Sequence, residues 1–224
     1  MEEKFEKIRE IVEKELSCSA HNMDHIDRVY NLCLHLVKGE KVDLDVLRAA
    51  VLLHDIAKGK EYADKTGTFD HATEGAKMAE PILRELNFSE DKIKHICDCI
   101  ISHRYKTDNK PKTLEAKILF DADKLEAVGA IGVVRAYAWI GKNNGKIYYK
   151  PKNLDEYIKN NLGGKINGKI KDKTAHSPQI EFETKVKFIV DRLYTKKAKE
   201  IGKERTEYVK IFLDRLEKEI KGEI

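Results

Sequence analysis

The hydrophobic positions of this chain follow a helical period over most of its length. Phe5, Ile8, Val12 and Leu16 fall on one face of a first helix, and the same spacing returns in later segments. Those later segments are about 24–37, 43–58, 71–86, 90–104, 114–140 and 182–221. We find no convincing stretch with the period of two that a half-buried strand requires. The pattern therefore predicts an all-α fold.

Capping residues and glycines set the expected helix ends. Asn22 and Asp24 are both good N-caps for the second helix, which follows a break at Ser17–His21. Asp43 should cap a third helix, LDVLRAAVLLHDIAK, and Gly59 should end it. Because this helix is apolar almost all round, we expect it in the middle of the bundle.

Other parts of the chain lack this period. Residues 61–70 and 106–112 are predicted to be loops, and 114–140 is predicted to be one long helix. In that helix, Gly129 and Gly132 indicate close packing rather than a break. Residues 141–180 are rich in Gly, Asn and Lys, which predicts an irregular segment that is either a functional lid or mobile.

Length and composition favour one soluble domain. The 224 residues fit a single domain over 1–224, with a motif core at about 20–140 and C-terminal helices at about 182–221. Forty-three basic and 39 acidic residues leave a net charge of +4, so charge-driven binding of nucleic acid is not the favoured function. The four cysteines do not suggest a disulfide framework, and no signal sequence or membrane span is visible. We therefore expect a cytoplasmic protein.

Four residues carry the candidate chemistry. His25 falls on the second helix, the adjacent pair His54 and Asp55 near the end of the apolar helix, and Asp123 on the long helix. Burying an ionised carboxylate is costly unless a partner or a metal compensates it. Imidazole nitrogens and carboxylate oxygens together suit a divalent ion such as Mn, Fe, Ni, Co or Zn, with Mg also open, and leave positions for water and phosphate.

The spacing of these residues resembles the HD superfamily of metal-dependent phosphohydrolases. The likeness is closest to its compact bacterial and archaeal members, through the later motif DADKLEAVGAIG, and extends from about Asp24 to Arg135. The resemblance implies an HD-type helical bundle, a bound divalent cation and hydrolysis of phosphate esters or anhydrides, often of nucleotides. It also implies that Asp123 is the last metal ligand. Asp121, two residues earlier, is the alternative.

Two further histidines extend the pattern. His71 and His103 follow the His54-Asp55 pair in the order of HD enzymes that bind a second metal, in which Asp55 would bridge both ions. Alternatively, His71 or His103 donates a proton to the leaving group or positions the water.

Basic residues should hold the phosphate. Lys58 resembles the last residue of an HDxxK motif, although a lysine at a helix C-terminus also offsets the helix dipole. Arg28, three residues after His25, can project from the same helical face.

We therefore expect a hydrolase in which metal-activated water attacks a phosphate ester or anhydride, with a nucleotide as the substrate. A cyclic-nucleotide or cyclic-dinucleotide phosphodiesterase with two metals is the alternative within the enzyme class. A regulatory or nucleic-acid-binding module that keeps the metal site is the alternative of another class, because Lys is in excess between Lys142 and Lys173.

Overall fold

The computed structural model describes residues 2–16, 23–104 and 109–224. The predicted break at Ser17–His21, the predicted cap Asn22 and part of the predicted loop 106–112 lie outside these residues. The helices are α1 Glu3–Glu15, α2 Met23–Leu36, α3 Leu44–Leu53, α4 Lys58–Ala63, α5 His71–Glu85, α6 Glu90–Ser102, α7 Leu114–Leu125, α8 Gly129–Lys142, α9 Leu154–Asn161, α10 Pro178–Thr184, α11 Ile189–Arg192 and α12 Lys196–Ile220. A 3-10 turn at Val186–Phe188 lies between α10 and α11.

The described residues contain no strand, so the all-α prediction is confirmed. None of the helices in these ranges has both the length and the apolar character needed to cross a bilayer. The chain divides into two compact units, Met1–Asp123 and Lys124–Ile224. The expectation of a single domain over 1–224 stays a prediction.

Helix α3 is the centre of the first unit, as its apolar sequence predicts. The Asp43 side chain caps it by accepting hydrogen bonds from the backbone N–H groups of Asp45 and Val46. The helix packs against α1, α2, α5 and α6, and its residues 49–53 are fully buried. It therefore delivers the residues that follow Leu53 to the interior of this unit.

The predicted end of this helix was wrong. The α-helix stops at Leu53, and Gly59 lies inside the next helix, α4. Between them the chain makes tight turns, in which the N–H of Ile56 donates to the Leu53 carbonyl and the N–H of Lys58 to the Asp55 carbonyl. The pair His54-Asp55 therefore lies in a turn, and the predicted loop 61–70 begins only after α4 ends at Ala63.

The predicted long helix 114–140 is broken in two. Helix α7 ends at Leu125 and α8 begins at Gly129, whose φ of +76° only glycine adopts readily. A Cβ on Gly129 would lie 3.0 Å from the Arg205 side chain, so the expected close packing does exist. Arg205 also donates a hydrogen bond to the Leu125 carbonyl at the end of α7 (3.1 Å), which accepts a second one from the backbone N–H of Val128 (3.4 Å).

Residues 141–180 contain regular structure that their composition conceals. Helix α9 lies within them, and the buried Asn161 at its end hydrogen-bonds both the N–H (2.6 Å) and the carbonyl (2.9 Å) of Asp172. The buried His176 contacts the Tyr157 hydroxyl (2.9 Å) and the Glu181 carboxylate (3.2 Å). Side-chain hydrogen bonds thus replace the apolar periodicity on which the sequence prediction depended. The mobility of this segment stays a prediction.

Candidate metal centre

Three of the predicted ligands come together in the first unit: His25, His54 and Asp55. His25 from α2 and His54 point their Nε2 atoms at each other, 3.4 Å apart. The Oδ2 atom of Asp55 lies 3.7 Å from the first nitrogen and 3.8 Å from the second. All three residues are buried. They form a group whose ligand atoms are close enough to hold one ion.

A second group forms on the other oxygen of Asp55. His71 is the first residue of α5, and His103 directly follows α6. Their Nε2 atoms are 3.2 Å apart and lie 3.5 and 3.6 Å from Oδ1 of Asp55. This buried group could also hold an ion. Asp55 is therefore shared, with one carboxylate oxygen facing each pair of histidines.

The hydrogen bonds of the other ring nitrogens fix which atoms can bind a metal. Nδ1 of His54 lies 2.7 Å from the Val51 carbonyl, and Nδ1 of His103 lies 2.5 Å from the Ile100 carbonyl. A carbonyl oxygen only accepts, so each Nδ1 carries the proton and each Nε2 keeps its lone pair. Burial also lowers the pKa of His103 to about 4, although Asp55 acts in the opposite direction. The ring is neutral at physiological pH, as a metal ligand must be.

The Nδ1 atom of His71 contacts two side chains instead of a backbone carbonyl. It lies 3.0 Å from Oε1 of Glu61 and 3.2 Å from Nζ of Lys58. Burial opposes the ionisation of Glu61, but hydrogen bonds from His71 and Lys58 outweigh it and hold the pKa well below its usual range. The Glu61 carboxylate favours a proton on Nδ1 of His71, whereas an N–H of Lys58 competes for the same nitrogen. With the proton on Nδ1, three acceptors, on His71, His103 and Asp55, would converge.

Asp123, one of the two alternative last ligands, contacts a histidine of the first group. Its Oδ1 atom lies 3.5 Å from Nε2 of His25, and its side chain is 15% exposed. Asp121 on the same helix is fully buried.

The basic residues near the centre surround Glu61. Lys58 Nζ lies 2.8 Å from one Glu61 oxygen, and Arg104 lies 3.1 Å from the other. Lys58 begins α4 and does not end α3, so the reading in which it offsets the C-terminal dipole of that helix was wrong. Arg28 is half-buried on α2, and its role toward phosphate stays a prediction.

Glu61 is the site residue that the sequence analysis missed. It was assigned to a loop, because Gly59 was expected to end the preceding helix. Whether the Glu61 side chain reaches His71 depends on the direction of α4. Apolar periodicity does not predict this helix, because its six residues are too few to show a period.

The family model of the HD domain matches residues 22–128. This part of the chain is an HD domain. The match includes both histidine pairs, the shared Asp55 and Asp123, which confirms the resemblance seen in the sequence.

Several proteins are similar to this chain over nearly its whole length. It is 27% identical to the uncharacterised Bacillus subtilis (strain 168) protein YpgQ, over 97% of this chain and 94% of YpgQ. An HD-superfamily hydrolase from Bacillus thuringiensis has a TM-score of 0.68 at 25% identity, with 98% and 96% of the two chains covered. The structure of YpgQ in complex with ADP has a TM-score of 0.67 at 22% identity, covering 97% and 98%.

Proposed function

We propose that this chain is a metal-dependent phosphohydrolase with two cation positions that share Asp55, and that its substrate is a nucleotide. The observation that carries the proposal is the convergence of three ligand atoms in a buried group: Nε2 of His71, Nε2 of His103 and Oδ1 of Asp55. With both Nδ1 atoms protonated, the two Nε2 lone pairs, 3.2 Å apart, would repel each other, and the carboxylate beside them would add to that repulsion. A divalent cation between them would turn each repulsion into a bond.

The donor set fits such a cation. Two ligands bound to one ion at about 2.1 Å, at angles between a right angle and the tetrahedral angle, lie about 3.0–3.5 Å apart. The donor atoms of the first group are 3.4–3.8 Å apart and those of the second 3.2–3.6 Å. The mixture of nitrogen and oxygen favours Mn, Fe, Co, Ni or Zn over Mg.

When bound, the cations would polarise a phosphate oxygen and lower the pKa of water. His54 and His103 are better suited to be ligands than acids, because their Nδ1 protons are engaged away from the centre. Asp55 would join the two positions, and Asp123 would complete the first. Arg28 and Lys58 are the basic residues we assign to the phosphate, which gains negative charge on its oxygens in the transition state.

The nucleotide part of the proposal is supported by YpgQ, which has been solved in complex with ADP. A cyclic-nucleotide or cyclic-dinucleotide phosphodiesterase needs the same two positions. Metal stoichiometry therefore does not separate the alternatives, and a substrate panel must.

The test is to load the purified chain with Mn²⁺ and offer it nucleoside mono-, di- and triphosphates, cyclic mono- and dinucleotides and a generic phosphodiester. We expect release of phosphate or pyrophosphate from a linear nucleotide, and its loss in Asp55→Asn. Cleavage of cyclic substrates alone would establish the phosphodiesterase. Failure on every substrate, with metal bound, would contradict the hydrolase proposal.

A second candidate function rests on the surface of residues 141–174. This segment contains nine lysines against three acidic residues, and all nine lysines are exposed. They are Lys142, Lys146, Lys150, Lys152, Lys159, Lys165, Lys169, Lys171 and Lys173. Such a surface would suit the phosphate backbone of RNA or DNA. Binding of a labelled oligonucleotide should then weaken steeply with salt, and no binding at low salt would exclude this function.

A further inference from the structure

The four histidines of the centre are not held in the same way. The Nδ1 atoms of His54 and His103 donate to backbone carbonyls three residues earlier in the chain. The Nδ1 atom of His71 instead lies 3.0 Å from the carboxylate of Glu61, ten residues earlier and on a different helix, and 3.2 Å from Nζ of Lys58. Of these two side chains only the carboxylate can accept the Nδ1 proton, whereas the ammonium of Lys58 can only donate. A backbone carbonyl cannot be removed by substitution, but the carboxylate of Glu61 can.

Glu61 is itself held in place by two cations. Lys58 binds its Oε2 atom at 2.8 Å, and Arg104 binds its Oε1 atom at 3.1 Å. Arg104 also pairs with Asp70 at 2.5 Å, and the Asp70 side chain caps the helix that begins with His71. The network thus includes Arg104, which follows His103 in the sequence, and Asp70, which precedes His71. The side chain of Glu61 is only 21% exposed, which restricts its movement.

We propose that Glu61 is a positioning residue that orients the His71 ring, keeps the proton on its Nδ1 and thereby sets the affinity of the second cation position. This inference rests on the proposed two-cation centre. It assigns no contact between Glu61 and the substrate. A carboxylate that accepts from the remote nitrogen of a ligand histidine fixes the ring and raises its basicity, and losing such a partner costs about 10–100-fold in metal affinity.

Substitution of Glu61 should affect the two cation positions differently. Glu61 contacts His71, and no contact joins it to His25 or His54 among those resolved in the described residues. Glu61→Gln keeps the size of the side chain and one oxygen but loses the charge, and Glu61→Ala loses the acceptor altogether. We expect the affinity for the second equivalent of metal to fall in the order wild type, Gln variant, Ala variant, with the total loss within about 10–100-fold. The first equivalent should bind unchanged.

The experiment is a calorimetric titration of the metal-free full chain with Mn²⁺, repeated with Co²⁺ while the visible absorption of the ion is recorded. Glu80→Gln is the matched control, since it removes one carboxylate from the exposed face of α5, where Glu80 pairs with Arg84. Circular dichroism should show native helicity in each variant. The Co²⁺ bands of the second equivalent should change in the Glu61 variants and not in the control.

The outcomes separate this inference from the proposed function. Two equivalents in the wild type, with the second weakened only in the Glu61 variants, would support it. Two equivalents bound equally well by all four proteins would overturn the role of Glu61 and leave the two-cation centre standing. A wild type that binds a single equivalent would overturn both, because no second position would exist for Glu61 to tune.

Discussion

Replacing Asp55 with Asn is the most informative perturbation of the centre. The change keeps the shape of a side chain that is 3% exposed, but it removes the charge that both histidine pairs face. The two positions then differ in what remains. His71 and His103 then offer two nitrogens and no carboxylate oxygen, whereas His25 and His54 keep Asp123 beside them. We therefore expect the second cation to be lost before the first.

The expected loss of metal affinity is large because the Asp55 carboxylate would bind the ions directly. Losing a group that only supports a ligand costs about 10–100-fold in affinity, and losing a charged ligand must cost more. The second position should therefore weaken by more than about 100-fold, or about 2.7 kcal/mol. Electrophilic activation by a metal is worth several kcal/mol, so turnover should fall by at least about 10³-fold.

The assay counts metal by plasma mass spectrometry after dialysis against a fixed free Mn²⁺ concentration and measures turnover on the same samples. Asp123→Asn is the contrasting variant, since it should weaken the first position and spare the second. Helicity should be unchanged in both variants. Two tightly bound ions in Asp55→Asn, or equal losses at both positions in the two variants, would refute the shared-carboxylate reasoning.

Two further predictions concern packing and the segment 141–180. Leu47→Ala, at a position 1% exposed in α3, should lower the free energy of unfolding by about 2–5 kcal/mol in urea titrations, while the half-exposed Leu44→Ala should change it by less than about 0.5 kcal/mol. Asn161→Ala removes three side-chain hydrogen bonds and leaves backbone groups unpaired, so it should cost about 1–3 kcal/mol and speed amide hydrogen exchange around Asp172. The exposed neighbour Asn160→Ala is its control, and equal exchange in the two variants would contradict this account.

The sequence predicted the helices well where apolar spacing or a capping residue defined them. Asp43 caps α3 through its side chain as expected, and α3 lies in the middle of its unit as its apolar sequence requires. The errors fall where local turns override periodicity. The turn at His54-Asp55 and the break before Gly129 lie inside apolar runs, so the hydrophobic pattern continues through both. The hydrophobic pattern of the side chains does not show where the backbone hydrogen bonds change from those of an α-helix to those of a turn.

The same limit applies to the site. The sequence order His25, His54-Asp55, His71, His103, Asp123 identified residues that the structure brings within a few ångströms of each other. It did not show that the two oxygens of Asp55 face different histidine pairs, because that depends on how α2, α5 and α6 approach α3. It missed Glu61 for the same reason. Charge and residue type are readable along the chain, whereas the direction of a side chain depends on the packing of other helices.

The ends of α3 and α6 explain how the centre obtains its bare nitrogens. The last carbonyls of a helix have no partner within the helix and need a donor. His54 and His103 each follow such an end, and each ring donates its Nδ1 proton to the carbonyl three residues earlier, on Val51 and Ile100. This hydrogen bond anchors each ring at a helix end and turns the lone pair of Nε2 toward Asp55, although the Ile100 carbonyl also accepts from the backbone N–H of His103 (3.4 Å). Backbone carbonyls thus orient these two candidate ligands, whereas His71, at the start of a helix, contacts the side chains of Glu61 and Lys58 through its Nδ1.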